Sequence, residues 1–182
     1  MEKGMGQGRM KVEYESRASA PDKEPMNALL REYYDLMISR IGEMGGATPA
    51  AGSRAIEEFW REVDQFLPPA GRLFLAKDEG GALLGSGTLK SIGGGKGELK
   101  RLFVRPGARG LGIGRKLVEL RVASAKEIGL RTLLVDTLRN NVEMRSLYES
   151  LGFEEIVVYP ESSSYKLVPD LQQYFRFYSM RL

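Results

Sequence analysis

The chain contains neither cysteine nor histidine among its 182 residues. Without cysteine there is no disulfide, no thiolate nucleophile and no zinc site built on sulfur. Without histidine the commonest general base and metal ligand is missing as well, which excludes Ser-His-Asp hydrolases, cysteine enzymes and His-ligated metalloenzymes. Acid–base chemistry is left to Asp, Glu, Tyr, Lys or ordered water. No apolar run approaches the roughly 20 residues of a membrane span, and the first residues, MEKGMGQGRMK, lack the apolar centre of a signal peptide. A cytoplasmic protein with no membrane partner is expected. Charge of one sign is not in excess either: 27 Lys and Arg stand against 24 Asp and Glu, a net charge of +3 beneath a pI of about 9.1. These charges are interspersed, which gives weak support to an anionic ligand and speaks against a nucleic-acid partner.

A chain of 182 residues with 42% hydrophobic content fills one core and is short for two, so a single domain is expected. Residues 1–9 are Gly-rich and polar and are expected to be disordered, leaving residues 10–182 as the domain. Residues 10–18 alternate as a strand, and Met26, Leu29, Leu30, Tyr33, Met37 and Ile41 recur at helical spacing over 25–43. Ser53 is a candidate N-cap for a second helix carrying Ile56, Phe59, Trp60, Val63 and Phe66, which ends before Pro68. Strands follow at 72–76, 82–91 and 98–105, joined by Gly-rich links that read as hairpin turns. The remainder is a helix from Gly112 to Gly129, a strand at 131–137, a helix at 141–151, and strands at 153–159 and 172–181. This order predicts an α/β fold with a mixed sheet, antiparallel in its early strands and parallel later, flanked by about four helices.

The stretch at 98–117, ELKRLFVRPGARGLGIGRKL, organises the rest. An apolar strand runs through Pro106 into a glycine-rich turn and then a helix start, whose free N–H groups and positive dipole end suit a phosphate. The dinucleotide pattern G-x-G-x-x-G fails, because its last position falls on Arg115 or Leu117, and no Gly-Lys-Ser or Gly-Lys-Thr completes a Walker loop. What remains is R-x-x-G-x-G at Arg109, Gly112 and Gly114.

Here the sequence resembles the GNAT superfamily of acetyl-CoA-dependent N-acetyltransferases, whose pyrophosphate loop reads [Q/R]-x-x-G-x-[G/A] between a strand and a helix. A second signature, Asn141 followed by Leu147, Tyr148, Gly152 and Phe153, stands at the spacing and order usual in that family. The resemblance implies a single GNAT-like domain that uses acetyl-CoA as cosubstrate and no metal. It implies that the backbone N–H groups of Arg109, Gly110, Leu111, Gly112, Ile113 and Gly114 bind the pyrophosphate, with Arg115 nearby as a cation. Leu102, Phe103 and Val104 would pair with the pantetheine arm, the N–H near Val104 facing the thioester oxygen. Asn141 would hydrogen-bond the pantetheine, and Tyr148 would sit beside the sulfur.

The chemistry suits these residue types. Attack by a primary amine on a thioester carbonyl needs a fixed donor for the developing oxyanion and a proton for the departing thiolate, which a tyrosine can supply. The acceptor must lose a proton, and Glu98 is the first candidate base, directly or through water, with Asp136 the second or an anchor for the amine's charge. Bland readings stand beside these. Glu98 can be a strand-end charge paired with Lys100 or Arg101, Asp136 a cap or turn residue, and Tyr148 a core aromatic. The acceptor, a small molecule or a peptide amine, is not named by any pattern, and a homodimer through the last strands is open. A non-catalytic acyl-CoA-binding module of the same fold is the alternative function.

Overall fold

The computed structural model describes residues 10–47, 52–162, 164, 166 and 169–182. The N-terminal stretch expected to be disordered lies outside the described residues. Strands β1 (Glu13–Ser16), β2 (Gly71–Lys77), β3 (Leu83–Gly93), β4 (Lys96–Val104), β5 (Thr132–Leu138), β6 (Glu154–Ile156) and β7 (Phe175–Arg181) form one seven-stranded sheet in the order β1-β2-β3-β4-β5-β7-β6. Helices α1 (Lys23–Glu43), α2 (Gly52–Glu62), α3 (Ile113–Glu127) and α4 (Val142–Ser150) flank it.

Period-two alternation sorts the strand residues onto the two faces of the sheet. Leu73 and Leu75 of β2, with Phe103 of β4, pack against Met26, Leu29 and Leu30 of α1 and Phe59 of α2. Phe74 and Ala76 point the other way, against Ile113 and Leu117 of α3. The β3–β4 turn is made by Gly93, Gly94 and Gly95, all at positive φ, as a tight hairpin needs.

Two expectations are sharpened. The mixed sheet has its parallel pairing at β4–β5, because β7 returns to insert between β5 and β6 and runs antiparallel to both. The strand expected at 153–159 is confined to Glu154–Ile156, and the stretch expected to begin a strand at 172 is a 3-10 turn, Pro169–Tyr174, before β7. Ser53 is inside α2 and not its cap, since the helix already includes Gly52.

The feature that positions the site is a divergence at the centre of the sheet. β4 pairs with β5 from Lys96↔Thr132 to Leu99↔Val135 and no further, although both strands continue. On its other side β4 pairs Lys100 with Thr88 and then Phe103 with Ser86, so Arg101 and Leu102 stand against the single residue Gly87. Arg101 takes φ of 52° in this bulge. Simple alternation would put it on the α3 side with Leu99. The bulge instead turns its guanidinium toward α1 and α2, where it donates to Tyr34 Oη at 3.1 Å and Glu62 Oε2 at 3.3 Å and lies over Phe59 and Phe66.

Candidate active site

Beyond the divergence, β4 runs through a 3-10 turn at Pro106–Ala108 into the glycine loop. Gly110 and Gly112 have φ of 81° and 78°, and a Cβ at either would meet nothing within 4 Å. It is therefore the backbone conformation, and not crowding, that demands glycine there. At Gly114 a Cβ would make ordinary contacts with Leu147 and Val104 at 3.7 and 3.9 Å, so alanine fits. Gly112 is the N-cap of α3, with no side-chain cap and no acidic residue in the first turn, and the first intrahelical bond is Lys116 N to Gly112 O at 3.0 Å.

The loop borders a cleft of about 480 Å³ lined by residues 102–104 of β4, by Arg109, Gly110, Gly112, Ile113, Gly114 and Arg115, and by Asn141, Met144 and Leu147. Leu111, half exposed at the loop tip, is not part of the lining. Arg109 folds back, Nε donating to Val104 O at 3.1 Å, and Arg115 donates to Ser150 Oγ at 2.8 Å. Arg40 of α1 adds a third cation to this wall, paired at 3.7 Å with Glu143.

The cleft adjoins a narrow crevice of about 50 Å³ in the gap between β4 and β5. Leu102 and Asn141 line both spaces; Tyr33 and Met37 face the crevice from α1 and Tyr148 from α4. Asn141 is the N-cap of α4, its Oδ1 accepting from Met144 N at 3.4 Å, so one end of its amide is fixed. Tyr148 is 3% exposed, edge-on to Phe153 and tilted against Tyr178. Burial pushes its phenol up to about 12, against the opposing charge of Arg121.

The two carboxylates named from the sequence occupy different places. Asp136 lines the crevice, accepting from Lys100 Nζ at 3.3 Å and from Ser162 and Ser164 Oγ at 3.1 Å each. Burial alone would lower the Lys100 pKa, but Asp136 and then Glu98 outweigh it and hold the ammonium above its ordinary range. Glu98 is fully buried, accepting from Tyr159 Oη at 3.0 Å and lying 3.8 Å from Lys90 Nζ, and it does not line the crevice. Tyr159 is pushed strongly upward, by burial first and then by Asp136 and Glu98. Its link to Glu98 spans 61 residues of sequence, and no local pattern announces it.

The sequence model of the Acetyltransferase (GNAT) family matches residues 28–153. The chain belongs to this family. An uncharacterized N-acetyltransferase of Schizosaccharomyces pombe is 35% identical over 99 residues, 54% of this chain and 61% of that one. A mycothiol acetyltransferase of Geodermatophilus obscurus is 38% identical over 112 residues, 58% of this chain and 36% of its own length. The chain thus spans between about a third and three fifths of these two relatives. Among solved structures, the PaiA N-acetyltransferase of Thermoplasma acidophilum in complex with coenzyme A superposes with a TM-score of 0.67 over 93% of this chain and 99% of that one. At 18% identity it shows a shared GNAT fold.

Within that fold, sequence reasoning missed Arg121, and it gave Lys100 and Arg101 only as partners for Glu98, whose bonds run instead to Tyr159 and Lys90. Arg121 left one usable signal: it stands four residues from both Leu117 and Ala125, on the buried stripe of α3.

Proposed function

We propose that this chain is an acetyl-CoA-dependent N-acetyltransferase that passes the acetyl group directly to a primary amine. The observation that carries the reading is the start of α3. Arg115 and Lys116 sit in its first turn, at the positive end of the dipole, with no acidic residue and no side-chain cap to offset them. Such an arrangement is unfavourable on its own and becomes favourable when an anion shares the site. A pyrophosphate across residues 109–114 supplies that anion.

From the loop, the pantetheine arm runs along residues 102–104, on the β4 edge that β5 has left, with Asn141 on the opposite wall. This carries the thioester into the crevice beside Tyr148. The N–H near Val104 polarises the thioester oxygen, and Tyr148 gives its proton to the departing sulfur. The acceptor approaches from the α1 side, where Asp136 lines the crevice and Glu98, bonded to Tyr159, does not. The proton lost by the amine passes through water to one of these carboxylates. The crevice, with Lys100, Asp136 and Ser164 among its lining residues, favours a small polar amine group at the point of attack.

The test is release of free thiol from acetyl-CoA in the presence of a panel of small amines, amino acids and peptides. Acceptor-dependent release with a matching acetylated product is expected. Thermal stabilisation by coenzyme A without release for any acceptor would mark a binding module instead.

A further inference from the structure

Arg121, in the middle of α3, is fully buried, the bulkiest of the completely enclosed side chains. Its Nε donates to Leu117 O at 2.9 Å, and its Nη1 to Thr88 O at 3.2 Å and Lys100 O at 3.5 Å. Thr88 and Lys100 are the last register pair before the β4 bulge, so the guanidinium is bonded to the backbone where the ladder breaks. Gly87 makes the room: a Cβ there would lie 3.0 Å from Arg121 Cζ and Nε. The remaining nitrogen, Nη2, is buried with no acceptor among the described residues in hydrogen-bond geometry. Among the described residues no carboxylate pairs with Arg121. Tyr148 packs in one buried cluster with Val118 and Ala125 of α3 and lines the crevice together with Lys100, whose carbonyl Arg121 holds, and it is the ionisable side chain that acts on the guanidinium.

A buried guanidinium without a counter-ion is costly, and a peg for the bulge needs no charge. An anion that appears only during turnover would explain why a charged group is kept. We propose that Arg121 is a positioning residue whose counter-ion is the Tyr148 phenolate, formed transiently as the phenol proton passes to the leaving sulfur. This rests on the reading of Tyr148 as general acid. In the step, the acceptor nitrogen bonds to the carbonyl carbon and the carbon–sulfur bond breaks. The sulfur takes the Tyr148 proton to become the coenzyme A thiol. The phenolate, facing Arg121, is then reprotonated through water by the proton that the acceptor nitrogen has shed to the carboxylate, which hands it on and returns to its charged form. Nothing is oxidised or reduced, and both side chains end as they began.

The test replaces Tyr148 by 3,5-difluorotyrosine, a more acidic phenol, and follows its ionisation by fluorine NMR in the full chain, with Arg121 intact and with Arg121→Gln or Arg121→Lys. A unit charge at contact distance moves a pKa by about 1–3 units, so the midpoint should rise by at least about one unit in Arg121→Gln and stay nearer the parent in Arg121→Lys. In the tyrosine protein, Arg121→Gln should lower kcat about tenfold or more while the KM for acetyl-CoA stays within about twofold. Gly87→Ala, whose Cβ displaces the guanidinium without removing its charge, is measured in parallel. A smaller rise in the same direction is expected, which keeps the question answerable if Arg121→Gln does not fold. An unmoved midpoint in the folded variants, with Tyr148→Phe inactive, overturns the role of Arg121 alone. Tyr148→Phe with full kcat overturns the general-acid reading, and the role of Arg121 with it.

Discussion

As the proposed general acid, Tyr148 faces two demands that burial sets against each other. Held at about 12, its phenol is reliably protonated at neutral pH and therefore able to donate, yet a weak acid is a slow donor. Removing the hydroxyl while keeping the ring should lower kcat by about 100-fold or more, with the KM for acetyl-CoA little changed. Steady-state kinetics of Tyr148→Phe checks this, and an unchanged kcat would return Tyr148 to the core. The two carboxylates can be separated in the same way. Asp136 lines the crevice and Glu98 does not, so Asp136→Asn should lower kcat more than Glu98→Gln does. The reverse order would make Glu98 the base. Residue identity made Tyr148 and Asn141 visible in the sequence, because their spacing after the glycine loop is local. Glu98 was visible as a carboxylate at a strand start. Its burial against Tyr159 and Lys90 was not visible, since those contacts depend on how β3 and the segment after β6 fold onto β4.

Among the elements, the bulge in β4 does the most. It puts Lys100 and Arg101 on one side of the sheet, opens the gap toward β5, and leaves carbonyls for Arg121 to hold. Just beyond it, Gly85 of β3 pairs with Val104, and a Cβ there would lie 2.6 Å from Phe103 O, closer than any side chain can stand. Gly85→Ala should therefore part β3 from β4 and cost about 1–3 kcal/mol in denaturant unfolding. A variant as stable as the parent would mean that the two strands yield more easily than their register implies. Most elements were legible from periodicity: α1, α3 and β2 to β5 lie within a few residues of their expected places. The insertion of β7 between β5 and β6 was not legible, because strand order is decided by which edges meet after the chain has turned back. The β4 bulge escaped for a related reason: Lys100 and Arg101 look alike in sequence, and only pairing with Gly87 shows that both fall on one side.

For the molecule as a whole, the lack of histidine and cysteine predicts stability that is nearly flat from about pH 6 to 9. Above that range the buried tyrosines take over, with Tyr33, Tyr148 and Tyr159 all shifted upward chiefly by burial. Below the unfolded tyrosine value of 10.0 both states keep the proton and stability is intact. As pH rises past it, the unfolded chain ionises first and stability is lost until the folded phenol titrates, at about 12 for Tyr148. Its share is about 3 kcal/mol at most. Denaturant unfolding across pH 9 to 11.5 should show a steep decline, shallower in Tyr148→Phe; parallel curves would mean that Tyr148 titrates as an exposed phenol does.

Coenzyme binding unites these scales, and calorimetric titration of coenzyme A into the parent chain, Gly112→Asp and Gly129→Asp tests it most directly. Gly112 and Gly129 lie at opposite ends of α3, with φ of 78° and 77° and open space around each, so the two variants share the same backbone strain and the same change of charge. On the proposed loop assignment, only at Gly112 would the new carboxylate meet the pyrophosphate. Affinity should fall about tenfold or more in Gly112→Asp and stay near the parent value in Gly129→Asp. Equal affinity in all three proteins would contradict the assignment of the loop.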